Sequence, residues 1–200
     1  MNFIEIYDNV LSKKECERLI HLFEDSPLKD EGVAGGRVNH SAKQSIALDL
    51  SFGEKSVEDP DNKEVNEIFA NVLRDNVDKY KKKYYYLNDL PIWFNDYSYH
   101  IQKFEEGGGY HAIHCEHEPT TPFRMLVWMF YLNNAKCGTR FYYQNKTIRA
   151  KQGRLVIWPA FWTHMHSGVT PNKGDKYVMS GWYSFDYKDQ PFLQPYFYPD

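Results

Sequence analysis

The sequence predicts an α+β fold, with two amphipathic helices in its first half and short antiparallel strands in its second. Three observations carry this expectation. A capping box and two apolar stripes with three- and four-residue steps lie between residues 12 and 84. Beyond Pro91 the texture changes to short apolar or alternating runs separated by turn-forming clusters. Aromatic residues make up 17% of the chain, including 16 Tyr and 13 Phe, a composition that favours strands and supplies buried area. The length of 200 residues suits one domain spanning 1–200, with helical support over about 8–90 and a β core over about 91–187.

Residues 3–7 (FIEIY) alternate and predict a short strand. In Ser12-Lys13-Lys14-Glu15 the serine covers a free N–H while the glutamate reaches back, so a helix opens there with Cys16, Leu19, Ile20 and Phe23 on one face. Residues 26–61 are rich in Gly, Asp, Ser and Lys and predict a long loop-rich stretch holding one or two strands, such as the alternating 45–50. A second helix is marked by Val65, Ile68, Phe69, Val72, Leu73, Val77, Tyr80 and Tyr84 on one stripe, and Pro91 bars its continuation. Strands are expected at 98–104, 124–132, 139–144, 154–159 and 177–185, separated by EEGGG, EPTTP, NNAKCG, AKQG and TPNKGD. Such runs form a sandwich or barrel of antiparallel sheets, with the helices bracing one sheet.

Charge and cysteine content narrow the function. A net charge of −3, from 24 basic and 27 acidic residues, gives no footprint for nucleic acid. The dense basic run, Lys79 and Lys81–Lys83, falls at a helix C-terminus, where cations suit the dipole. Three cysteines do not make a disulfide framework. The N-terminal residues show no charged segment followed by an apolar one, and no window approaches 18 apolar residues. The expectation is a soluble, cytoplasmic protein with no membrane partner.

The densest set of metal-ligand types is Tyr110-His-Ala-Ile-His-Cys-Glu-His-Glu118. Residues two apart on a strand share a face, so His114 and Glu116 would present an imidazole and a carboxylate together. A second histidine source is Trp158-Pro-Ala-Phe-Trp-Thr-His164-Met-His166. Two histidines and one carboxylate on one face of a metal, with positions left open, is the arrangement of non-haem Fe(II) oxygenases. Strand parity does not separate His164 from His166, since both would share a face.

From Tyr110 to Trp182 the order of motifs resembles the prolyl 4-hydroxylase branch of the Fe(II)/2-oxoglutarate-dependent dioxygenases. The matching pieces are His114-Cys-Glu116, Arg124 to Tyr131-Leu132-Asn133, Gly138-Thr139-Arg140-Phe141, Lys151-Gln152-Gly153, His166 and Lys176. The opening Asp8-Asn9-Val10-Leu11-Ser12 with Glu15-Cys16 is similar to the start of that family's catalytic domain. The resemblance implies a double-stranded β-helix, or jelly roll, braced by the N-terminal helices. It implies that His114, Glu116 and His166 bind Fe(II), because Lys176 lies ten residues beyond His166 and matches the family's basic residue. His164 then supports the ligands or faces substrate, and His111 and His117 stay outside the ligand set. Lys176 would pair with the far carboxylate of 2-oxoglutarate, with Tyr131, Ser180 and Trp182 completing that pocket. The implied reaction hydroxylates a C–H bond with O2, with ascorbate as an accompanying reductant and succinate and CO2 released. Mn, Ni or Zn would compete for the same ligands on isolation.

Three positions depart from the family pattern. Glu116 replaces the usual Asp, Phe104 stands where a tyrosine often contacts 2-oxoglutarate, and Tyr110–His114 holds one extra residue, which predicts a bulge or a shifted register. The resemblance points to a peptide or protein substrate bearing proline, held in an open groove beside the sheet with the loop over 31–61 as its lid. Alternatives are a free amino acid substrate, a metal-only cupin-type enzyme, or a peptide-binding module without activity.

Overall fold

The computed structural model describes residues 1–52 and 59–186. Residues 53–58 of the loop-rich stretch and residue 187, the expected end of the β core, lie outside the described residues. The first strand, β1 (Glu5–Tyr7), leads into α1 (Lys13–Asp25). The capping box is formed: Glu15 N–H donates to Ser12 Oγ, and Ser12 N–H donates to Glu15 Oε2 at 2.7 Å. Next come β2 (Asp30–Glu31), β3 (Lys43–Gln44) and β4 (Ile46–Ser51). The second helix, α2 (Pro60–Lys83), starts on the Asp59 side chain, which accepts from the N–H groups of Asp61 and Asn62. Lys81–Lys83 fall in its last turn, as the dipole argument expects.

The remaining strands are β5 (Trp93–Asn95), β6 (Ser98–Phe104), β7 (Gly109–Tyr110), β8 (Arg124–Tyr131), β9 (Gly138–Phe141), β10 (Lys146–Arg149), β11 (Arg154–Pro159), β12 (His166–Val169) and β13 (Lys176–Phe185). The large antiparallel sheet runs β1-β11-β8-β13-β6-β4-β2, with β5 also paired to β13. A smaller sheet, β10-β9-β12, faces it, and β3 pairs with β7 at the rim. Two facing antiparallel sheets with helices on the outer side make the expected jelly roll.

Period-two alternation divides the large sheet into a helix side and an inner side. On β8, Leu126, Trp128 and Phe130 join Leu19, Phe23, Phe69 and Leu73 of the helices in one core. The intervening Val127, Met129 and Tyr131 join Phe141 and Ile148 of the small sheet in a second core. Both faces are covered, so β8 reads as an unbroken apolar run. The same parity on β13 sends Tyr177 and Met179 to the helices and leaves Lys176, Val178, Ser180 and Trp182 on the inner face.

Two sequence expectations are corrected. The predicted strand over 139–144 stops at Phe141, because the chain turns at Tyr142–Asn145 and returns as β10; Asn145 takes a φ of +48° in that turn. His164 and His166 do not share one strand either, because the segment that leads to them is interrupted. It ends at Pro159, forms a short 3-10 turn over Trp162–His164, and restarts as β12.

Gly153 ties the helical layer to the sheet. Its φ is +74°, a side-chain Cβ there would lie 2.2 Å from the Leu11 carbonyl oxygen, and its own carbonyl accepts from Val10 N–H at 2.9 Å. Gly153→Ala is expected to destabilise the fold by roughly 1–3 kcal/mol. A lowered denaturation midpoint with an unchanged m-value checks this; an unchanged midpoint would refute the close-approach argument.

Candidate active site

His166 opens β12 and forms an antiparallel bridge with His114, each N–H donating to the other's carbonyl at 3.0 and 2.8 Å. The segment carrying His114 and Glu116 is not a regular strand, contrary to the parity argument. It is pinned from outside: His111 and Ala112 N–H donate to Ala42 O, and Glu116 and His117 N–H donate to Ala160 O. The Thr121 hydroxyl also donates to Glu116 O at 2.8 Å. Residues 111–116 therefore bend over the sheet mouth, which absorbs the extra residue after Tyr110.

The bend brings His114, Glu116 and His166 together, with one ligand atom from each lying within 4.8 Å of the others. Glu116 Oε1 is 3.4 Å from Nε2 of both rings. The opposite ring nitrogens meet backbone carbonyls: His114 Nδ1 lies 2.9 Å from Ala112 O and His166 Nδ1 lies 2.8 Å from His164 O. A carbonyl only accepts, so each Nδ1 carries a proton and, in the neutral ring, each Nε2 presents its lone pair. Two lone pairs and a carboxylate then converge on one point, an arrangement that needs a cation among them. Doubly protonated rings are the alternative, but burial pushes the His166 pKa down and disfavours that form. Burial alone raises the Glu116 carboxyl; positive charge facing it, as protons on the two Nε2 atoms or as a cation in their place, more than offsets this and holds it well below the usual carboxylate range. The other carboxylate oxygen, Oε2, accepts from Trp182 Nε1 at 3.0 Å and lies 3.6 Å from Arg124 Nη1.

His164 does not join this group. Its ring contacts the Thr163 hydroxyl and Asn2 O, each at 2.9 Å, and only its carbonyl reaches His166. His111 and His117 also lie outside, on Thr170 and on the Arg124 carbonyl.

The three residues line a cavity of about 440 Å³ between the sheets, together with Lys176, Ser180, Trp182, Phe104, Thr139 and Trp158. Tyr131 does not line it. Its hydroxyl is bonded at 2.7 Å to the hydroxyl of Thr139, which does. Lys176 is buried, forms no ion pair among the described residues, and sits 4.3 Å above the Phe104 ring. Burial lowers its pKa from 10.5 to about 8.

Residues 93–184 match the model of the 2OG-Fe(II) oxygenase superfamily. The β core that carries the His–Glu–His cluster is thus similar to 2OG-Fe(II) oxygenases. The expected enzyme class, a 2-oxoglutarate-dependent dioxygenase, stands on that match and on the fold. No curated protein matches the sequence. Among solved structures, a viral collagen prolyl hydroxylase from Paramecium Bursaria Chlorella virus-1 is 16% identical, over 92% of this chain and 97% of its own, with a TM-score of 0.64. A Pseudomonas putida prolyl-4-hydroxylase is 13% identical over 93% and 94%, with a TM-score of 0.66. A prolyl hydroxylase from Trichoplax adhaerens, in complex with a hypoxia inducible factor oxygen degradation domain peptide fragment, is 16% identical over 96% and 87%, at 0.70. At these identities the likeness is one of fold, the prolyl hydroxylase-like jelly roll.

The oxygenase site holds residues that the sequence reading did not assign. Tyr110 stacks on His114 with ring centroids 3.7 Å apart and planes at 14°. Arg124, read only as the start of a strand, lies 3.4 Å from the Trp182 ring centroid and brackets Glu116 from the far side. Trp158 is buried and its indole N–H has no partner, an orphan donor on a cavity-lining residue. Lys43 is a second buried lysine on the cavity wall. Only Arg124 had a local signal, as the charged residue opening an otherwise apolar strand.

The drop in the Lys176 pKa corresponds to roughly 3 kcal/mol against the charged form. Since the folded value lies below the unfolded one, the penalty is full below about pH 8, and stability rises as pH climbs from there towards 10.5. Lys176→Met should therefore raise stability by on the order of 1–3 kcal/mol at pH 7. Thermal unfolding checks this; a destabilised variant would show that the ammonium has a compensating partner.

Proposed function

We propose that His114, Glu116 and His166 hold Fe(II), and that the chain hydroxylates a C–H bond of a substrate, a prolyl residue in a peptide or protein being the leading class. The observation that carries this is the pair of Nδ1-to-carbonyl hydrogen bonds, which turns both Nε2 lone pairs onto the Glu116 carboxylate. When bound, Fe(II) with 2-oxoglutarate would supply O2 activation, so that substrate R–H, O2 and 2-oxoglutarate become R–OH, succinate and CO2. The same donor set would accept Mn, Ni or Zn on isolation, and ascorbate would keep the iron reduced.

The protein's part is ligation, orientation and exclusion of water. Lys176 is the natural partner for the far carboxylate of 2-oxoglutarate, because a buried ammonium without an ion pair gains most from an incoming anion. Thr139, held by Tyr131, and Ser180 add hydroxyls on the same inner face. Phe104 gives that carboxylate no hydroxyl, and it supports the Lys176 ammonium with its ring face instead. Trp182 lines the cavity, in keeping with a part in the 2-oxoglutarate pocket, and also donates to Glu116 and, with Arg124, fixes which carboxylate oxygen faces the histidines. Val33, Gly35, Gly36 and Lys43 line the cavity, which supports a lid role for the described part of the 31–61 loop. The prolyl hydroxylase fold of the Trichoplax protein, with its bound peptide, supports a peptide substrate by analogy.

Succinate formation from 2-oxoglutarate with Fe(II), ascorbate and air tests the reading. Wild type should turn over slowly without substrate, while His114→Ala and Lys176→Ala fall to the no-enzyme background. Equal rates in all three proteins would overturn it.

Affinity for 2-oxoglutarate should also fall as pH rises through about 8, up to tenfold per pH unit, because only protonated Lys176 pairs with the anion. A binding curve flat from pH 7 to 9.5 would remove Lys176 from this role.

A further inference from the structure

Lys43 stands on β3, where it pairs in register with Tyr110, and its side chain is buried at 5% exposure. Its Nζ donates to Val33 O at 3.1 Å and sits 5.2 Å from the Tyr110 ring centroid. It forms no ion pair among the described residues, yet it lines the same cavity as the His–Glu–His cluster. The position is shaped around it. A Cβ on Gly32 would lie 3.3 Å from Lys43 Cε and 2.0 Å from Ser45 Oγ, so glycine leaves room for the lysine stem. The Ser45 hydroxyl crowded against that point is buried and has no hydrogen-bond partner. A cation is thus placed on the cavity wall without an anionic partner among the described residues.

The other cations of the cavity are already engaged. Arg124 lies against Glu116, Asp96 and Trp182. Lys176, above Phe104, is the partner proposed for 2-oxoglutarate. Lys43 lies near enough to His100 and to Glu116 to interact electrostatically with both, and the His100 ring meets Trp182 at 5.2 Å. Buried ammonium groups are costly unless paired, so this one implies an anionic partner that arrives with a ligand.

We propose that Lys43 is the recognition point for a carboxylate carried by the substrate, so that the molecule oxidised here is an acid and not a neutral peptide segment. This rests on the oxygenase reading above. One ammonium, with a single charge and N–H donors to spare, matches a monoanionic carboxylate. A phosphate, with its larger charge, would call for a free bidentate guanidinium, and the Arg124 guanidinium is already held by Glu116, Asp96 and Trp182. The carboxylate has two sources, the α-carboxylate of a free amino acid or an acidic side chain beside the oxidised residue of a peptide.

The test measures 2-oxoglutarate affinity and substrate-stimulated succinate formation in wild type, Lys43→Met and Lys43→Arg. The probes are free amino acids against their amides, and end-blocked proline tripeptides flanked by Glu against Gln. In wild type at least one acid should stimulate turnover tenfold or more over its neutral partner. Lys43→Met should abolish that preference through KM, and Lys43→Arg should restore part of it. A response to free amino acids alone, or to the Glu tripeptides alone, identifies the source. Affinity for 2-oxoglutarate should stay unchanged in Lys43→Met, which also shows that the variant is folded. Acids and neutral partners performing alike, no acid stimulating, or Lys43→Met losing 2-oxoglutarate affinity would each overturn the proposal while leaving the oxygenase reading intact. Failure of wild type to bind 2-oxoglutarate at all would overturn that reading, and the proposal with it.

Discussion

Two backbone hydrogen bonds between His114 and His166 are the constraint on which the site depends. They join a bent, non-strand segment to the first residue of β12 and so fix the separation of the two imidazoles. Every other feature of the cluster follows from holding that bridge in place. The carbonyls of Ala112 and His164 then lie under the rings and set their tautomers. Ala160, at the end of β11, accepts from Glu116 and His117 and brings the carboxylate between the rings. Trp182 and Arg124, from β13 and β8, hold its second oxygen. Five separate stretches of chain thus meet at one point, and the jelly roll is what brings them there.

The inner face combines this cluster with charges that the apolar surroundings disfavour. Lys176 and Lys43 are both buried without ion pairs among the described residues, and burial lowers both pKa values to about 8. Such groups weaken the fold and are explained more readily by ligands than by stability. One cation answers the expected 2-oxoglutarate. The second has no counterpart in that co-substrate and leads to the proposed substrate acid.

Much of the fold was legible because its signals are local. The capping box, the apolar stripe of α2 and the alternating or unbroken apolar runs of β6, β8, β11 and β13 depend on neighbours one to four residues apart. Of the strands that went unseen, β10 and β12 are four residues long, and Lys-Thr-Ile-Arg and His-Ser-Gly-Val carry no strong alternation. Pairing with β9 defines them. At the site, His114, Glu116, His166 and Lys176 were picked out by motif order, but the reason given for the first two, a shared strand face, was wrong. Long-range hydrogen bonds do that work. Trp182 lines the cavity and Tyr131 reaches it only through Thr139, contacts that motif order does not specify. Lys43 carried no signal at all, since its burial depends on Val33, Tyr110 and Gly32 meeting across the rim.

The most direct test of the central claim is an anaerobic titration of the Fe(II)-loaded protein with 2-oxoglutarate, following visible charge-transfer absorption in wild type, His166→Ala and His164→Ala. The account predicts a saturable band in wild type and in His164→Ala, and none in His166→Ala. A band that survives loss of His166, or no band in wild type, would contradict it.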